Sequence, residues 1–100
     1  MTTPRFDELI HPSTRLTLVA MLAAVDWVEF SYLKEKLALS DSALSKQLAT
    51  LENAGYLSTE RRLESSRHKV YATLTADGRA AFAGHVAALR AIVDGVVVPG

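Results

Sequence analysis

Ser42, Ser45, Lys46 and Ala49 fall on one side of a helix-forming stretch, opposite Leu44, Leu48 and Leu51, which recur at helical spacing as a buried stripe. Set against the edges of base pairs in a major groove, the hydroxyls could donate or accept and Lys46 could reach guanine or phosphate. Ala49 would offer a methyl contact to thymine. Gln47 and Thr50 lie on the flank of that face and take a secondary part. A second cluster follows close behind. Arg61, Arg62, Arg67 and Lys69, set against Glu64 alone, give residues 61–69 a formal charge of +3, and His68 adds to it at lower pH. Strand residues alternate in direction, so Arg61 and Arg62 cannot both face one partner. Arg67, at the tip, is better placed for a phosphate or minor-groove contact.

Other chemistry is poorly supplied. Asp7 and His11 stand at i, i+4 and His85 lies on the last helix, so pairing of two copies could bring them together. The spacing provides at most two local ligands where zinc wants three or four, and no metal site is expected. The serines have no organised His and Asp partners and no Gly-rich phosphate loop is present, so neither an enzyme nor a cofactor is expected. With no cysteine in the chain, disulfides, thiolate catalysis and sulfur-ligated metals are excluded. Trp27, Phe30 and Tyr32 form an aromatic cluster between the first two helices. Core packing is its expected role, and a pocket for an unidentified small-molecule effector is the alternative.

The elements that must position these residues can be read in order. Phe6, Leu9 and Ile10 indicate a short leading helix interrupted at Pro12. Pro12-Ser13 opens the first long helix, with Leu16, Val19, Ala20, Leu22 and Ala23 as its apolar face. Trp27-Val28-Glu29 reads as a short strand, and Ser31 as the cap of a helix over 32–37 that turns at Ala38-Leu39. Ser40 caps the next helix, aided by Asp41 at the positive end of its dipole, and Gly55 ends it. Residues 57–63 and 69–74 read as two strands joined by the mobile polar tip Glu64-Ser65-Ser66-Arg67-His68. Thr75 caps the last helix, whose Ala80, Phe82, Val86, Leu89, Ile92, Val93 and Val96 are too broad an apolar set to pack on one side only. Gly95 and the tail after it end that helix.

A chain of 100 residues, 49% hydrophobic and 22% charged, is one globular domain with room for one core. No apolar run approaches the length of a membrane span and the first residues lack a secretory signal, so a cytoplasmic protein with no membrane partner is expected. The formal net charge of zero argues against indiscriminate coating of nucleic acid, yet positive charge need only gather where phosphates lie.

Leu44-Ser45-Lys46-Gln47-Leu48, then Leu51-Glu52-Asn53-Ala54-Gly55-Tyr56-Leu57, then Leu74-Thr75-Ala76-Asp77-Gly78-Arg79 form an ordered string of motifs. In them the sequence resembles winged helix-turn-helix regulators of the MarR-like group, and among these the small single-domain winged-helix DNA-binding proteins. The likeness spans roughly residues 13 to 93, nearly the whole chain. It implies an α+β, mainly α fold: a leading segment at 1–12, a three-helix core with a β-hairpin wing over 13–74, and a long C-terminal dimerisation helix over 75–96. It further implies a sequence-specific regulator of transcription that binds a palindromic operator in double-stranded DNA as a homodimer, by family habit a repressor. Ser42, Ser45, Lys46, Gln47, Ala49, Arg61, Arg62, Arg67, His68 and Lys69 would then meet DNA, and Phe82, Val86, Leu89, Ile92 and Val93 the partner copy. The rival reading is a winged-helix protein-interaction module, because residues 31–71 hold seven cations against five carboxylates, a modest +2.

Overall fold

The computed structural model describes residues 2–95. Four helices and a three-stranded antiparallel sheet follow one another as α1 (Ser13–Ala23), β1 (Val28–Glu29), α2 (Phe30–Leu37), α3 (Asp41–Asn53), β2 (Leu57–Glu64), β3 (Arg67–Leu74) and α4 (Ala76–Val93). The sheet order is β1-β3-β2. This is the winged-helix arrangement: three helices over a small sheet, the β2–β3 hairpin projecting beyond the core, and a long closing helix.

Local signals account for most boundaries. The Ser40 hydroxyl accepts the Ala43 N–H at 3.1 Å and Asp41 occupies the first turn of α3, so that start is both capped and charge-matched. Gly55, at φ +80, takes the left-handed conformation that stops α3, where any other residue would be strained. The Thr75 hydroxyl caps α4 through the Gly78 N–H at 3.0 Å and also donates to the Gly55 carbonyl at 2.6 Å. The start of the closing helix is thereby tied to the end of α3. Gly78 lies so near that a Cβ there would overlap the Tyr56 carbonyl.

Four expectations need correction. The leading residues form a single turn rather than a helix: the His11 N–H reaches the Asp7 carbonyl at 3.0 Å, and Asp7 Oδ1 caps the Leu9 and Ile10 amides. On α1 the buried side chains are Leu18, Val19 and Leu22, while Ala20 is exposed; the helix packs against β3, α4 and α2. α2 begins at Phe30 with Glu29 at its N-cap and no side-chain cap. β1 pairs Val28 with Ala72 and Glu29 with Tyr71, and the chain passes directly from that ladder into the helix, leaving Ser31 one residue inside. The hairpin tip is not a five-residue loop. Ser65 and Ser66, at φ 50 and 64, make a two-residue turn whose twist matches the strands, so pairing continues through Leu63 with His68 to Glu64 with Arg67.

The core gathers Ile10, Leu18, Val19, Leu22, Leu33, Leu44, Leu48, Leu51, Leu57, Ala72 and Leu74. Every helix of the three-helix unit contributes, so the orientation of α3 is set by packing on its leucine face. α4 ends at Val93, followed by Asp94 at the cap and Gly95 at φ +82; the expected extension to Val96 lies outside the described residues.

Candidate nucleic-acid interface

The leucine face of α3 is buried, and its other side presents Ser42, Ser45, Lys46 and Ala49, all exposed. Ser42 Oγ lies 3.3 Å from the capping Ser40 Oγ, whereas the Ser45 and Lys46 side chains have no hydrogen-bond or ion-pair partner among the described residues. Gln47 is different. It is half-buried, and its Oε1 accepts from Arg15 Nη1 at 3.1 Å, while Arg15 Nε donates to the Leu9 carbonyl. Gln47 thus holds α3 to α1 and the leading turn. Thr50 is spent on its own helix, its hydroxyl donating to the Lys46 carbonyl at 3.0 Å.

Register divides the wing into two faces, since opposed residues in an antiparallel pair point the same way. One carries Glu60, Arg62 and Glu64 on β2 with Tyr71, Lys69 and Arg67 on β3. Arg62 is held there by Glu60 at 3.2 Å, and its guanidinium stacks on the rings of Trp27 and Tyr71, 4.9 and 4.4 Å from their centroids. Lys69 sits between Glu29 at 3.8 Å and Glu64 at 4.0 Å. The Tyr71 hydroxyl donates to Glu64 at 3.1 Å, which keeps its proton and raises its pKa. Two of the four wing cations are therefore matched by carboxylates of this chain. The other face continues the core side of the hairpin and carries Arg61, Leu63 and His68, with Thr59 at its base donating to Glu52 of α3 at 3.1 Å. Arg61, Arg67 and His68 are exposed, and Arg61 and Arg67 have no ion-pair partner among the described residues. The structure thus separates the residues the sequence grouped: Lys46, Arg61 and Arg67 are available to a partner, while Gln47, Arg62 and Lys69 are engaged internally.

Along α4, Phe82, Val86 and Leu89 are half-buried, Phe82 packing on the core, whereas Ile92 and Val93 are 51% and 83% exposed. The five share one side of the helix, and its exposed apolar area lies toward the C-terminal end.

The sequence placed Asp7, His11 and His85 together only across two copies; the fold joins them within one. His85 is fully buried, its Nδ1 accepting the Asp7 amide N–H at 2.9 Å and its Nε2 lying 3.3 Å from His11 Nδ1. An amide can only donate, so Nδ1 holds the lone pair and Nε2 the proton that His11 accepts. Neither of these facing nitrogens is offered to a metal, and no cluster of three or more ligating side chains occurs among the described residues. Burial and the neighbouring His11 hold the His85 pKa below its ordinary value, against a smaller opposing pull from Asp7. Asp7 Oδ2 in turn accepts the Tyr56 hydroxyl at 2.6 Å, which raises the Tyr56 pKa and links the leading turn to the residue just after α3. No spacing rule could have found these contacts.

The aromatic cluster also departs from expectation. Phe30 packs against the core, but Trp27 and Tyr32 are 38% and 50% exposed. With Met21, Ala24, Val25, Val28 and Glu29 they line an open cavity of about 560 Å³ between the end of α1, β1 and the start of α2.

Residues 14–93 match the family described as winged helix DNA-binding domain. An uncharacterized protein of Methanocaldococcus jannaschii is 33% identical over 79 residues, covering 79% of this chain and 86% of that protein. In fold the chain is similar to a transcriptional regulator homologue from Pyrococcus horikoshii, with a TM-score of 0.83 at 21% identity over 89% of this chain and 88% of that one. It is also similar to a MarR-family transcriptional regulator from Silicibacter pomeroyi, with a TM-score of 0.64 at 25% identity over 87% of this chain and 57% of that one.

Proposed function

Because the chain belongs to the winged helix DNA-binding domain family, and regulators of transcription are among the solved structures it is similar to, we propose that it is a homodimeric, sequence-specific reader of double-stranded DNA that represses transcription by occupying promoter sites, and not an enzyme. The observation that carries this reading is the outer face of α3, where Ser45 and Lys46 stand exposed without partners among the described residues. In the groove, hydroxyl and ammonium groups meet base-edge acceptors and donors. Arg67 at the tip of the wing supplies a phosphate contact that positions the helix without itself reading sequence, and Arg61, on the opposite face of the hairpin, can reach phosphates only from that other side.

The dimer is formed through α4, with Leu89, Ile92 and Val93 at its centre and Phe82 and Val86 at its margin. A two-fold pairing places two copies of α3 on half-sites about one helical turn, roughly 34 Å, apart, and hence on a palindromic operator. The leading segment at 1–12, the DNA-reading unit at 13–74 and the closing helix then form one domain with a division of labour.

The second reading, a protein-interaction module, draws on a specific observation: Arg62 and Lys69 are matched by Glu60, Glu29 and Glu64, which lowers the field the wing offers to phosphates. Selection of binding sites from random and genomic duplexes with the purified protein separates the two. Enrichment of a two-fold symmetric sequence supports the regulator. Recovery of no sequence above background at moderate salt would leave the interaction module.

A further inference from the structure

We propose that the cavity walled by Trp27 and Tyr32 binds an organic cation with a bulky apolar body. The cavity is open, about 560 Å³, and its lining is apolar or aromatic except for one charged side chain, the Glu29 carboxylate. Leaving a tryptophan and a tyrosine this exposed costs apolar burial that a domain of this size could otherwise use. The rings already attract cations of this chain: Arg62 lies 4.9 Å from the Trp27 centroid and Lys36 lies 5.6 Å from that of Tyr32. Aromatic faces with a carboxylate at the rim bind cations by ring quadrupole and charge together, whereas an anion would meet Glu29 as a like charge. Glu29 pairs with Lys69 at 3.8 Å, and Lys69 is also within 4.0 Å of Glu64, so a bound cation takes the Glu29 carboxylate in exchange for Lys69, which keeps Glu64.

The site lies where the wing joins the body. Trp27 is also the ring on which Arg62 rests, and Glu29 pairs in the ladder with Tyr71, the other ring of that stack. An occupant that stacks on Trp27 and takes up Glu29 therefore competes with Arg62 and Lys69 for the groups that hold the outer face of the hairpin. The binding itself is independent of the DNA-reading proposal and is measured without DNA.

Trp27 is the only tryptophan in the chain, so its emission reports the cavity directly. The test titrates tetraphenylphosphonium and tetraphenylborate, which share a shape and differ in the sign of charge, against the full chain. The expected result is a saturable change in Trp27 emission with the phosphonium, at least about tenfold tighter than with the borate, as charge at an aromatic site implies. Glu29→Gln, which removes charge but no cap hydrogen bond, should narrow that preference to near unity, and Tyr32→Ala, at an exposed ring, should weaken the phosphonium in a chain that remains folded. No saturable change, equal binding of the two ions, or an undiminished preference in Glu29→Gln overturns the proposal.

Discussion

His11 Nδ1 stands 3.3 Å from His85 Nε2, and His85 Nδ1 receives the Asp7 amide 2.9 Å away, so the two rings carry a relay with one proton between them. Adding a proton to either ring sets a donor against a donor. His85 is also the one buried polar side chain among the described residues, with Phe6 packed edge-on at 4.8 Å between centroids. The leading segment is fastened to α4 by this contact together with the Arg5 N–H donating to the Gly84 carbonyl at 2.9 Å.

The first prediction follows from that relay. The His85 pKa is lowered in the folded chain, first by burial, then by His11. The unfolded chain therefore binds the proton more readily, and its stabilising effect is complete above the ordinary histidine value near 6.5 and is lost as pH falls from there through the lowered folded value. Chemical denaturation at intervals from pH 8 to pH 5 should show stability declining in this range by up to about 1.4 kcal/mol per unit, the limit for one proton. His85→Gln, whose amide oxygen can accept the Asp7 N–H without titrating, should flatten the profile. An equal slope in that variant would assign the acid sensitivity elsewhere.

On α3, Lys46→Ala and Ser45→Ala should each weaken specific binding by about 1 to 3 kcal/mol, the worth of a good base contact, with stability unchanged because both side chains are exposed. Gel-shift titration against the selected operator measures it. Gln47→Ala should instead lower thermal stability, since it releases Arg15. If Gln47 alone affected specificity, the reading face would have to be rotated.

Within the wing, Arg67→Ala should weaken binding to all sequences alike and reduce the slope of log affinity against log salt by about one, as one lost phosphate contact requires. Arg62→Ala should act on the fold, freeing the Trp27 and Tyr71 rings and blue- or red-shifting Trp27 emission. A salt slope that falls in Arg62→Ala and not in Arg67→Ala would exchange the two roles.

Assembly is checked at α4. Val93 is 83% exposed, so Val93→Asp leaves the single chain intact while placing an unpaired charge at the centre of the dimer interface, and Leu89→Asp, at a half-buried side chain, places one beside it. Sedimentation at micromolar concentration should show a dimer for the parent and a species of 10.9 kDa for both variants, with weaker operator binding as the advantage of effective concentration is lost. A parent that sediments as a monomer removes the palindromic-operator arrangement.

At Gly78, alanine would drive its Cβ into the Tyr56 carbonyl between α3 and α4. Gly78→Ala should cost about 1 to 3 kcal/mol in unfolding free energy, as overpacking does, and an unchanged melting temperature would mean that the junction yields freely.

Short-range chemistry made much of this fold legible in the sequence. The caps at Ser40 and Thr75, the stop at Gly55 and the leucine stripe of α3 depend on residues within a few positions of one another, and each is found where the spacing predicts. The exposed side of α3 follows from the same periodicity, because burying Leu44, Leu48 and Leu51 leaves Ser42, Ser45, Lys46 and Ala49 outward. Counting charges was less informative. A basic stretch can be named from composition, but which cations are spoken for depends on β1 and Trp27, which reach the wing only through the sheet and the packing of the body.

By itself, the sequence determined the order of elements from α1 to α4 and the polar face of α3, which rest on local propensity and on patterns of period 2 or 3.6, and it pointed to the family through resemblance in an ordered string of motifs. Tertiary structure alone decided which faces meet. His11 and His85 are 74 positions apart, Asp7 and Tyr56 are 49 apart, and Arg15 and Gln47 are 32 apart, yet each pair is within hydrogen-bonding distance. A periodic pattern shows that a face will be covered without naming what covers it. The partner is chosen by the packing of several elements at once, and for that reason the His11–His85 relay, the captured Gln47 and the open wall at Trp27 became visible only in three dimensions.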